Sequence, residues 1–443
     1  MVKILDLYCG MGGLSLGFLL AMKNARIVGL DKDPDAVRTF NFNLRSRGGE
    51  AHQTDLLKAR ISEKFDIIIG GPPCQPFSIA NSRRRGKEHP LYPTFPRFFD
   101  IVIEKRPMAF LLENVKGLLT KAHKHIFDEQ IRKVKSEYMI KYAVLNAAYF
   151  GVPQKRERLF VLGIRKDLGV KPSFPRPTHA ESTCITLNGK LHKWVTVRDA
   201  IRDLLAVPPL CGDHKTVPLT QKQLIQIIKE RNDTSRHFGK MVFPDPIDEP
   251  SRVISSHTIE GSKRETIIIP TEHVITGTRN CWESEWGKRE ISLNKPSYTI
   301  TEKHRSGQMI SITDHEFLDS IAQFSETSMN KHRPQDILKP STTIRATFGK
   351  APPDAFVCVN GKLMRRLTVR ECLRLQSFPD WWRFPDGVSL TKKFKLVGEA
   401  VPPILAYKIA IHIAHLLKIP TREPPKPEEF VLPYFEKAFA EYF

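Results

Sequence analysis

The chain has 443 residues, which is too long for one ordinary domain and suits two or three. Hydrophobic residues make up 41% of it, enough to build real cores. Lys and Arg number 69 against 48 Asp and Glu, so the formal net charge is +21 at pH 7. A balance this basic points to a polyanionic partner, either nucleic acid or a membrane surface, although scattered surface Lys and Arg would give the same total.

The seven cysteines exclude several classes of protein. None forms a C-x-x-C pair, so no zinc site or disulfide framework is predicted and a reducing compartment fits. Residues 1–8 form a strand-like run without the basic and apolar regions of a secretory signal. We also expect no membrane span, because no apolar stretch looks long enough to cross a bilayer.

Strand-like runs alternate with helical patterns in the first part of the chain. The strand-like runs are Val2–Leu7, Arg26–Leu30, Phe65–Ile69, Ala109–Leu112, Lys141–Leu145 and Arg158–Ile164. Helical patterns between them include Pro34–Arg45 and Lys124–Ser136. The alternation predicts a parallel, doubly wound α/β sheet.

The pattern changes after about Asp167. Pro-rich pieces and β-branched runs with polar turns continue to about Leu363, which indicates an irregular, β-rich region. Helical patterns return at Thr368–Gln376 and Pro403–Leu417. A Pro-rich linker then leads to a tail, Glu428–Phe443, with aromatic residues at helical spacing.

A glycine-rich turn, residues 6–13 (D-L-Y-C-G-M-G-G), follows the first strand. Glycines let the backbone approach a ligand, and the N–H groups at the start of the next helix are free to bind it. The turn departs from G-x-G-x-x-G because Ser15 takes the third glycine position, which weakens a nicotinamide interpretation. Asp31 and Asp55 end the next two strands, so the set suits a nucleoside with a cationic sulfonium; the alternative is a plain tight turn.

Cys74 lies in G-G-P-P-C-Q-P-F-S, directly after the strand-like run Phe65–Ile69. Two prolines hold the cysteine rigidly at the carboxyl end of a strand, in the crevice of an α/β sheet. A lone cysteine is usually buried and inert, but this frame favours a nucleophile. A thiolate there needs a pKa lowered by nearby cations or helix ends.

Glu113 leaves an apolar strand into the same crevice, so its pKa should be raised and its carboxyl can stay protonated. A protonated carboxyl can donate to a ring nitrogen; a helix-capping role is the alternative. Arg156 and Arg158, in Q-K-R-E-R, face one way if extended and could steady the thiolate, the acid and a base carbonyl. A solvated charge run is the alternative for these arginines.

Taken in order, these motifs resemble those of the DNA (cytosine-5)-methyltransferase family. The matching stretches are D-L-Y-C-G-x-G-G, G-P-P-C-Q-P-F-S, E-N-V, Q-K-R-E-R, R-L-T-V-R-E-C-L-R-L-Q-S-F-P and V-G-E-A-V-P. They cover residues 3 to about 165 and 340 to 417. The resemblance implies a Rossmann-like, doubly wound S-adenosylmethionine-dependent methyltransferase domain with an inserted, irregular β-rich target-recognition domain. The implied reaction is methyl transfer to C5 of a cytosine flipped out of a specific duplex DNA sequence, through a covalent bond between a cysteine and C6.

The resemblance implies catalytic roles for residues already singled out. Cys74 attacks C6 of the cytosine, and Glu113 contacts N3 and the exocyclic amine. Arg158 reaches the base O2, and Arg156 steadies the thiolate and its surroundings. The backbone carbonyl of Pro72 also meets the exocyclic amine.

S-adenosylmethionine is the implied cofactor. Asp31 takes its ribose, Lys32 lies near the adenine, and Asp55 with the neighbouring leucine reads the adenine edge. The complete set of expected cofactor residues is Tyr8, Gly10, Gly12, Asp31, Lys32, Asp55, Leu56, Pro72, Glu399 and Val401.

Expected DNA contacts follow the nucleophile and recur near the end of the variable region. They are Gln75, Ser78, Arg83, Arg84, Arg85 and Thr343. Thr343 resembles the threonine that grips the target phosphate. The basic stretch at 83–85 is expected to belong to a mobile loop that closes over DNA, with a merely solvated loop as the alternative. Arg366, Arg370 and Glu371 resemble the structural motif that joins the two lobes.

One position departs from the family pattern. The family usually has Gly-Asn-Ala/Ser-Val near its C-terminus, where this chain has Gly398-Glu399-Ala400-Val401. A carboxylate beside the cofactor could help or hinder the sulfonium, so this position bears on cofactor affinity.

The resemblance also implies an organisation and a setting. Residues 1–171 would be the first part of the catalytic domain, 172–365 the target-recognition domain, 366–418 the returning catalytic part and 419–443 a tail. The implied partner is double-stranded DNA, bound by a monomer without metal or membrane, with a cognate restriction endonuclease acting separately. The implied location is the cytoplasm of a prokaryote, at the nucleoid.

Three alternatives stay open at this point. An RNA cytosine methyltransferase of the same fold shares G-P-P-C-Q-P-F, but the Cys-Phe-Thr stretch usual in that branch is absent. A catalytically silent DNA-binding regulator would be marked by loss of Cys74 or Glu113, and both are present. A nicotinamide oxidoreductase is disfavoured by Ser15.

Overall fold

The computed structural model of the chain describes residues 1–77, 86–186, 189–205, 335–346, 348, 356–359 and 362–440. It also describes short strands between residues 210 and 311, which are given below. The described residues divide into two compact units. The first contains Met1–Ala206, Ile337–Lys350 and Val369–Phe443, and the second contains Val207–Asp336 and Ala351–Thr368.

A seven-stranded sheet forms the centre of the first unit, in the order β3-β2-β1-β4-β5-β7-β6. Its strands are β1 (Val2–Leu7), β2 (Ala25–Asp31), β3 (Gly49–Gln53), β4 (Ile67–Gly70), β5 (Ala109–Asn114), β6 (Tyr138–Asn146) and β7 (Glu157–Arg165). The first five are parallel to one another. This arrangement confirms the expected doubly wound α/β fold.

The prediction of a wholly parallel sheet was wrong at one edge. Strand β7 runs antiparallel to both β5 and β6. The connection from β6 to β7, residues 147–156, is shorter than the dozen or more residues that a crossover between parallel strands needs. The chain therefore turns back as a hairpin, and β7 inserts between β5 and β6.

Helices cover both faces of the sheet. They are α1 (Gly13–Ala21), α2 (Pro34–Leu44), α3 (Thr94–Lys105) and α4 (Lys124–Val134). The start of helix α2 is fixed by two residues. Pro34 is its first residue, and the Asp33 carboxylate caps it by accepting hydrogen bonds from the Asp35 and Ala36 N–H groups at 3.1 and 3.3 Å. Phenylalanines of α3 pack edge-to-face against Phe110 of β5 and fill the core on that side.

The order of strands places a crevice beside β1. Neighbouring strands β2 and β4 flank β1, and the chain leaves the sheet in opposite directions from these positions. Such a switch point opens a cleft at the carboxyl ends of the strands, where ligands of open α/β sheets bind. The residues at that edge are Leu7, Asp31, Gly70 and Asn114.

Further strands are short. In the first unit they are β8 (His179–Ala180), β9 (Cys184–Thr186) and β10 (Gly189–Lys193), which form one small sheet before helix α5 (Val197–Leu205). In the second unit they are β11 (Leu210–Cys211), β12 (His214–Lys215), β13 (Met241–Val242), β14 (Arg252–Ser255), β15 (Thr266–Ile269), β16 (Ile275–Thr276), β17 (Ile310–Ser311), β18 (Gln335–Asp336), β19 (Phe356–Val359) and β20 (Lys362–Arg366). The second unit therefore consists, where described, of small two- and three-stranded sheets.

Helices return at the end of the chain: α6 (Val369–Leu375), α7 (Leu390–Glu399), α8 (Pro403–Leu416) and α9 (Phe435–Ala438). Helix α8 packs closely on α1 because Gly17 leaves room, since a Cβ there would lie 2.4 Å from the Ala406 Cβ. Within the described part of the chain, 390–416 is the one helical stretch that passes for a membrane span by length and hydropathy, contrary to the sequence expectation. It breaks at residues 400–402, and 78% of its most apolar window is buried inside the protein, as in a core helix.

The C-terminal tail packs on the helices of the first unit. Phe439 is 1% exposed and meets the rings of Tyr407 on α8 and Phe435 on α9, with centroids 5.5 and 4.6 Å apart. The Tyr434 hydroxyl donates to the Arg374 carbonyl oxygen at 2.5 Å. The tail is thus part of the core.

Phe439→Ala should lower the free energy of unfolding by about 3–5 kcal/mol, the usual cost of emptying a buried phenylalanine site. Chemical denaturation with a two-state fit measures this change. Val431→Ala is the matched control, because Val431 lies in the same tail but is 41% exposed, and it should change the stability by less than about 1 kcal/mol. Equal effects of the two substitutions would contradict a core role for the tail.

Candidate active site

The glycine-rich turn after β1 is held in a left-handed conformation. Gly10 and Gly12 have φ of 55° and 98°, which a glycine adopts without strain, and Tyr8 also has a positive φ of 60°. The Gly10 N–H donates to Asp31 Oδ2 at 2.8 Å, and the Asp33 N–H donates to Asp31 Oδ1 at 2.9 Å. The Asp31 carboxylate therefore ties the end of β2 to the turn.

Open space lies on one side of this turn and close packing on the other. A Cβ at Gly10 would meet nothing within 4 Å, whereas one at Gly13 would lie 2.2 Å from the Val401 carbonyl oxygen. The Tyr8 hydroxyl donates to the Thr94 carbonyl oxygen at 2.9 Å, which fixes the position of the Tyr8 side chain. The turn thus lines an open cleft with a rigid wall behind it.

Ser15 has a structural role at the position where a dinucleotide-binding turn has its third glycine. Its hydroxyl donates to Asp6 Oδ2 at 2.6 Å, and the Asp6 side chain is 1% exposed. Burial raises the pKa of Asp6 to about 7, the Ser15 hydrogen bond opposes the rise, and the charge of Asp31 adds to it. Sequence reasoning missed this pair, although an acid inside an apolar strand was a signal for it.

Asp55 and Lys32 lie near each other on the exposed side of the cleft. Lys32 Nζ is 3.3 Å from Asp55 Oδ2, and the Leu57 N–H donates to Asp55 Oδ1 at 3.2 Å. The backbone hydrogen bond and Lys32 hold the pKa of Asp55 below its usual range. Leu56 is 3% exposed, and its carbonyl oxygen accepts from Arg97 Nε at 3.0 Å.

Cys74 follows β4 on a short loop that is fixed at both ends. Asn114 at the end of β5 donates through Nδ2 to the Pro72 carbonyl oxygen at 3.0 Å, and the Phe77 N–H donates to the Cys74 carbonyl oxygen at 3.0 Å. Asn114 was not predicted, although it stands beside the glutamate in the E-N-V motif. Gln75 is exposed at the start of the turn.

Glu113 lies beside this loop and pairs with Arg158. Arg158 Nε is 3.1 Å from Glu113 Oε1, and the two side chains are 16% and 10% exposed. A Cβ at Gly71 would lie 3.2 Å from Glu113 Oε2, so the glycine leaves room for the carboxyl. Burial raises the pKa of Glu113, as its position predicted, and Arg158 and Arg156 oppose the rise.

Arg156 is buried and serves as a backbone anchor. Its Nη1 donates to the carbonyl oxygens of Ile344 and Gly398 at 3.1 and 3.0 Å. Its Nε has no hydrogen-bond partner among the described residues. Burial and the charge of Arg158 lower the pKa of Arg156 to about 9, so the guanidinium stays charged at neutral pH.

The pKa of Cys74 is raised, which differs from the expectation of a lowered value. Burial is the main cause, and the charge of Glu113 adds to it. Arg158 and Arg156 act in the predicted direction and lower it, but they do not outweigh burial. Cys74 therefore rests as a thiol, and burial and the charge of Glu113 both oppose its ionisation.

Two glutamines, not predicted as site residues, join distant segments behind the cysteine. Gln154 Oε1 accepts the Ile344 N–H at 2.9 Å, and Gln154 Nε2 donates to Gln376 Oε1. Gln376 Nε2 donates in turn to the carbonyl oxygens of Val397 and Ala400 at 2.9 and 2.7 Å. Their presence inside Q-K-R-E-R and L-Q-S-F-P was the available signal.

Thr343 lies next to this network. Its hydroxyl donates to the Lys155 carbonyl oxygen at 2.9 Å, and the Lys155 N–H donates to the Ser341 carbonyl oxygen at 2.7 Å. Lys155 Nζ sits 4.7 Å above the centre of the Trp194 ring. Thr343 and Lys155 thus share one side of the site.

Several predicted positions lie away from these contacts or outside the described residues. Ser78, Arg83, Arg84 and Arg85 are outside the described residues. Arg370 donates to the Trp382 carbonyl oxygen at 2.7 Å, and Glu371 is fully buried, while the side chain of Arg366 is not described. Across the residues that the structure covers, no cluster of His, Cys, Asp or Glu is arranged to hold a metal ion.

Solved structures resemble this fold at low sequence identity. A prophage-encoded protein from Escherichia coli, assigned as a DNA modification methyltransferase, has a TM-score of 0.54 at 21% identity, with 94% of this chain and 100% of that chain covered. The Entamoeba histolytica methyltransferase EhMeth has a TM-score of 0.50 at 13% identity, with 94% and 98% covered. These likenesses support the fold.

Sequence comparison goes further. The Type II methyltransferase M.MthTI of Methanothermobacter thermautotrophicus is 30% identical over 414 residues, which span 92% of this chain and 96% of that protein. The Type II methyltransferase M.AgeI of Thalassovita gelatinovora is 28% identical, with 92% and 98% covered. The profile of the C-5 cytosine-specific DNA methylases matches residues 2–415. With the cysteine, the acid and the glycine-rich turn gathered at one edge of the sheet, this chain therefore belongs to the C-5 cytosine-specific DNA methylase family.

Proposed function

We propose that the protein transfers a methyl group from S-adenosylmethionine to C5 of a cytosine that is flipped out of duplex DNA. The observation that carries the proposal is the placement of Cys74 beside the buried pair of Glu113 and Arg158, at the same edge of the sheet as the glycine-rich turn. A nucleophile, a carboxyl with a raised pKa and open space at the glycine-rich turn lie at that edge.

The residues of the cleft fit S-adenosylmethionine. Open space at Gly10 admits a ligand, and each Asp31 oxygen that accepts one backbone N–H retains a second lone pair for a ribose hydroxyl. Asp55 offers a further carboxylate near the far end of the cleft. Carboxylates without a metal suit a cationic nucleoside better than a pyrophosphate. When bound there, S-adenosylmethionine supplies an electrophilic methyl group on a sulfonium.

Cys74 acts as the nucleophile in this proposal. The Cys74 thiol first loses its proton to solvent, and its sulfur then forms a bond to C6 of the cytosine while the Glu113 carboxyl donates a proton to N3, so the ring becomes an enamine with a nucleophilic C5. After C5 is methylated, its proton passes to water, the bond from sulfur to C6 breaks, N3 returns its proton to Glu113, and the aromatic ring and Cys74 are restored. Arg158 keeps the Glu113 carboxyl oriented throughout.

The cytosine must leave the helix for this chemistry, because C6 is covered by stacking in a duplex. The Pro72 carbonyl oxygen, which Asn114 holds in place, is positioned to accept from the exocyclic amine with its second lone pair. Thr343 and Lys155 would contact phosphates beside the flipped nucleotide. The residues that choose the sequence would lie within 172–365, and the protein would work as a monomer.

A restriction-modification setting is supported by the Type II names of the relatives. In that setting a separate endonuclease would cut the same sequence unless it is methylated. We place such an enzyme in the cytoplasm of a prokaryote, at the nucleoid.

Cys74→Ala should abolish covalent capture by DNA that carries 5-fluorocytosine at the target position. Fluorine cannot leave as a proton does, so the wild-type protein stays bonded through the Cys74 sulfur after methyl transfer. Mass spectrometry of the denatured complex detects the adduct. Cys372→Ala is the control, because Cys372 is buried in α6 and should leave capture unchanged. Capture by the Cys74 variant would disprove the assignment.

Glu113→Gln should slow single-turnover methyl transfer by about 10²–10⁴-fold, because an amide cannot give its proton to N3. The pH profile gives a second readout. A raised pKa keeps Glu113 protonated to higher pH than a free glutamate, and the donor is lost as the pH rises through that pKa. The wild-type rate should therefore fall at high pH, whereas the rate of the variant should rise to a plateau. A variant with the wild-type rate and profile would remove Glu113 from the chemistry.

Asp31→Asn should weaken S-adenosylmethionine binding by about 1–3 kcal/mol, the cost of losing a charged partner of buried hydrogen bonds. Titration calorimetry measures the affinity. Asp35→Asn is the control, because Asp35 lies in the first turn of the following helix, α2, and pairs with Arg38. If both variants bind as tightly as the wild type, Asp31 does not hold the cofactor.

A further inference from the structure

The segment from Val397 to Val401 is fixed between the catalytic residues and the glycine-rich turn. Arg156 donates to the Gly398 carbonyl oxygen at 3.0 Å, and Gln376 donates to the carbonyl oxygens of Val397 and Ala400. A Cβ at Gly398 would lie 2.2 Å from the Ala346 nitrogen. At the other end of the segment, the Val401 carbonyl oxygen packs against Gly13, where a Cβ would lie 2.2 Å from it. The one residue between these anchors with a charged side chain is Glu399.

Glu399 is the last residue of α7, and its carboxylate acts electrostatically on both halves of the cleft. Its charge raises the pKa of Cys74 and favours the charged form of Arg156. On the other side it interacts with the carboxylates of Asp31 and Asp33. Glu399 follows Gly398, whose carbonyl oxygen Arg156 holds, and comes two residues before Val401, which meets Gly13 of the glycine-rich turn. The segment that carries Glu399 therefore joins the residues proposed to hold the cytosine to those proposed to hold the cofactor.

Nearby cations leave this negative charge only partly compensated. Lys395, one turn earlier on α7, places its Nζ 3.9 Å from the Glu399 Oε1, and both side chains are more than 40% exposed. Lys392 is engaged by Asp33. An exposed pair at 3.9 Å is weak and screened by salt, so the carboxylate still acts on the cleft.

We propose that Glu399 is a selectivity residue that favours the cationic methyl donor over the neutral product of methyl transfer. The inference rests on the proposed function, because it takes S-adenosylmethionine as the donor. Donor and product differ by a methyl group and by the positive charge on sulfur. A carboxylate near that sulfur attracts the donor and loses the attraction once the methyl group has gone, whereas an uncharged side chain makes no such distinction.

Glu399 would thereby let S-adenosylmethionine compete better with S-adenosylhomocysteine for the site. The same attraction stabilises the bound donor before reaction, so it gives no advantage to the chemical step itself. The expected benefit is weaker inhibition by product. The charge should therefore show itself in the ratio of two affinities, which is independent of the methylation rate.

Titration calorimetry on the full chain, with S-adenosylmethionine and S-adenosylhomocysteine as separate ligands, tests the proposal. Glu399→Gln removes the charge with little change of shape and should lower the ratio of donor affinity to product affinity by about 3- to 10-fold at low salt. Glu399→Asp retains the charge and should keep most of the ratio. Lys395→Gln removes the opposing cation and should raise the ratio. Salt should shrink each difference.

Glu63→Gln is the matched control, because Glu63 pairs with Lys3 at the opposite end of the sheet and should leave the ratio unchanged. A Glu399→Gln ratio equal to that of the wild type, with or without a loss of stability, would overturn the proposal and leave Glu399 as a helix-end partner of Lys395. If the wild-type protein binds neither ligand, the proposed function fails instead, so the two failures are distinguishable.

Discussion

The buried guanidinium of Arg156 is the interaction on which the active site depends. It lies in the hairpin before β7 and holds two backbone segments that are far away in the sequence, at Ile344 and Gly398. Burying a charge costs several kcal/mol unless hydrogen bonds replace its water, and here two carbonyl oxygens do so. Because these carbonyls belong to separate segments, the arginine can be satisfied only when all three have come together. The site is therefore assembled by the same contacts that complete the fold.

The sequence predicted most of the sheet and the chemistry-bearing residues, because both depend on local patterns. Strand-like runs mark six of the seven strands, all except β3, whose sequence G-E-A-H-Q is largely polar. Glycine and proline motifs mark the turns after β1 and β4. The antiparallel edge was missed, since strand direction depends on the length of the connection between β6 and β7 and not on the pattern within either strand. The pairs of Asp6 with Ser15 and of Gln154 with Gln376 were missed for a related reason. Hydrogen bonds between side chains, nine positions apart in the first pair and 222 apart in the second, leave no periodic trace in the sequence.

The direction of the pKa shift at Cys74 also could not be predicted from the motifs. Four charges act on the thiol, two from arginines and two from carboxylates, and the balance depends on burial as well as on sign. The presence of arginines in the motif predicted a thiolate. Burial of the Cys74 thiol reverses the direction, because a charged sulfur loses more hydration than the arginines return. The balance between lost hydration and attraction by the arginines can be judged only from the three-dimensional structure.

A resting thiol is consistent with the proposed chemistry and gives the site a safeguard. A permanent thiolate in an accessible cleft would be open to oxidation and to attack on other electrophiles. Here the charge of Glu113 opposes ionisation of Cys74, so the two groups are coupled. When a cytosine enters, its N3 favours the protonated form of Glu113, so the opposing charge is lost, while Arg158 and Arg156 continue to favour the thiolate. Entry of the base would therefore ease formation of the thiolate that attacks it.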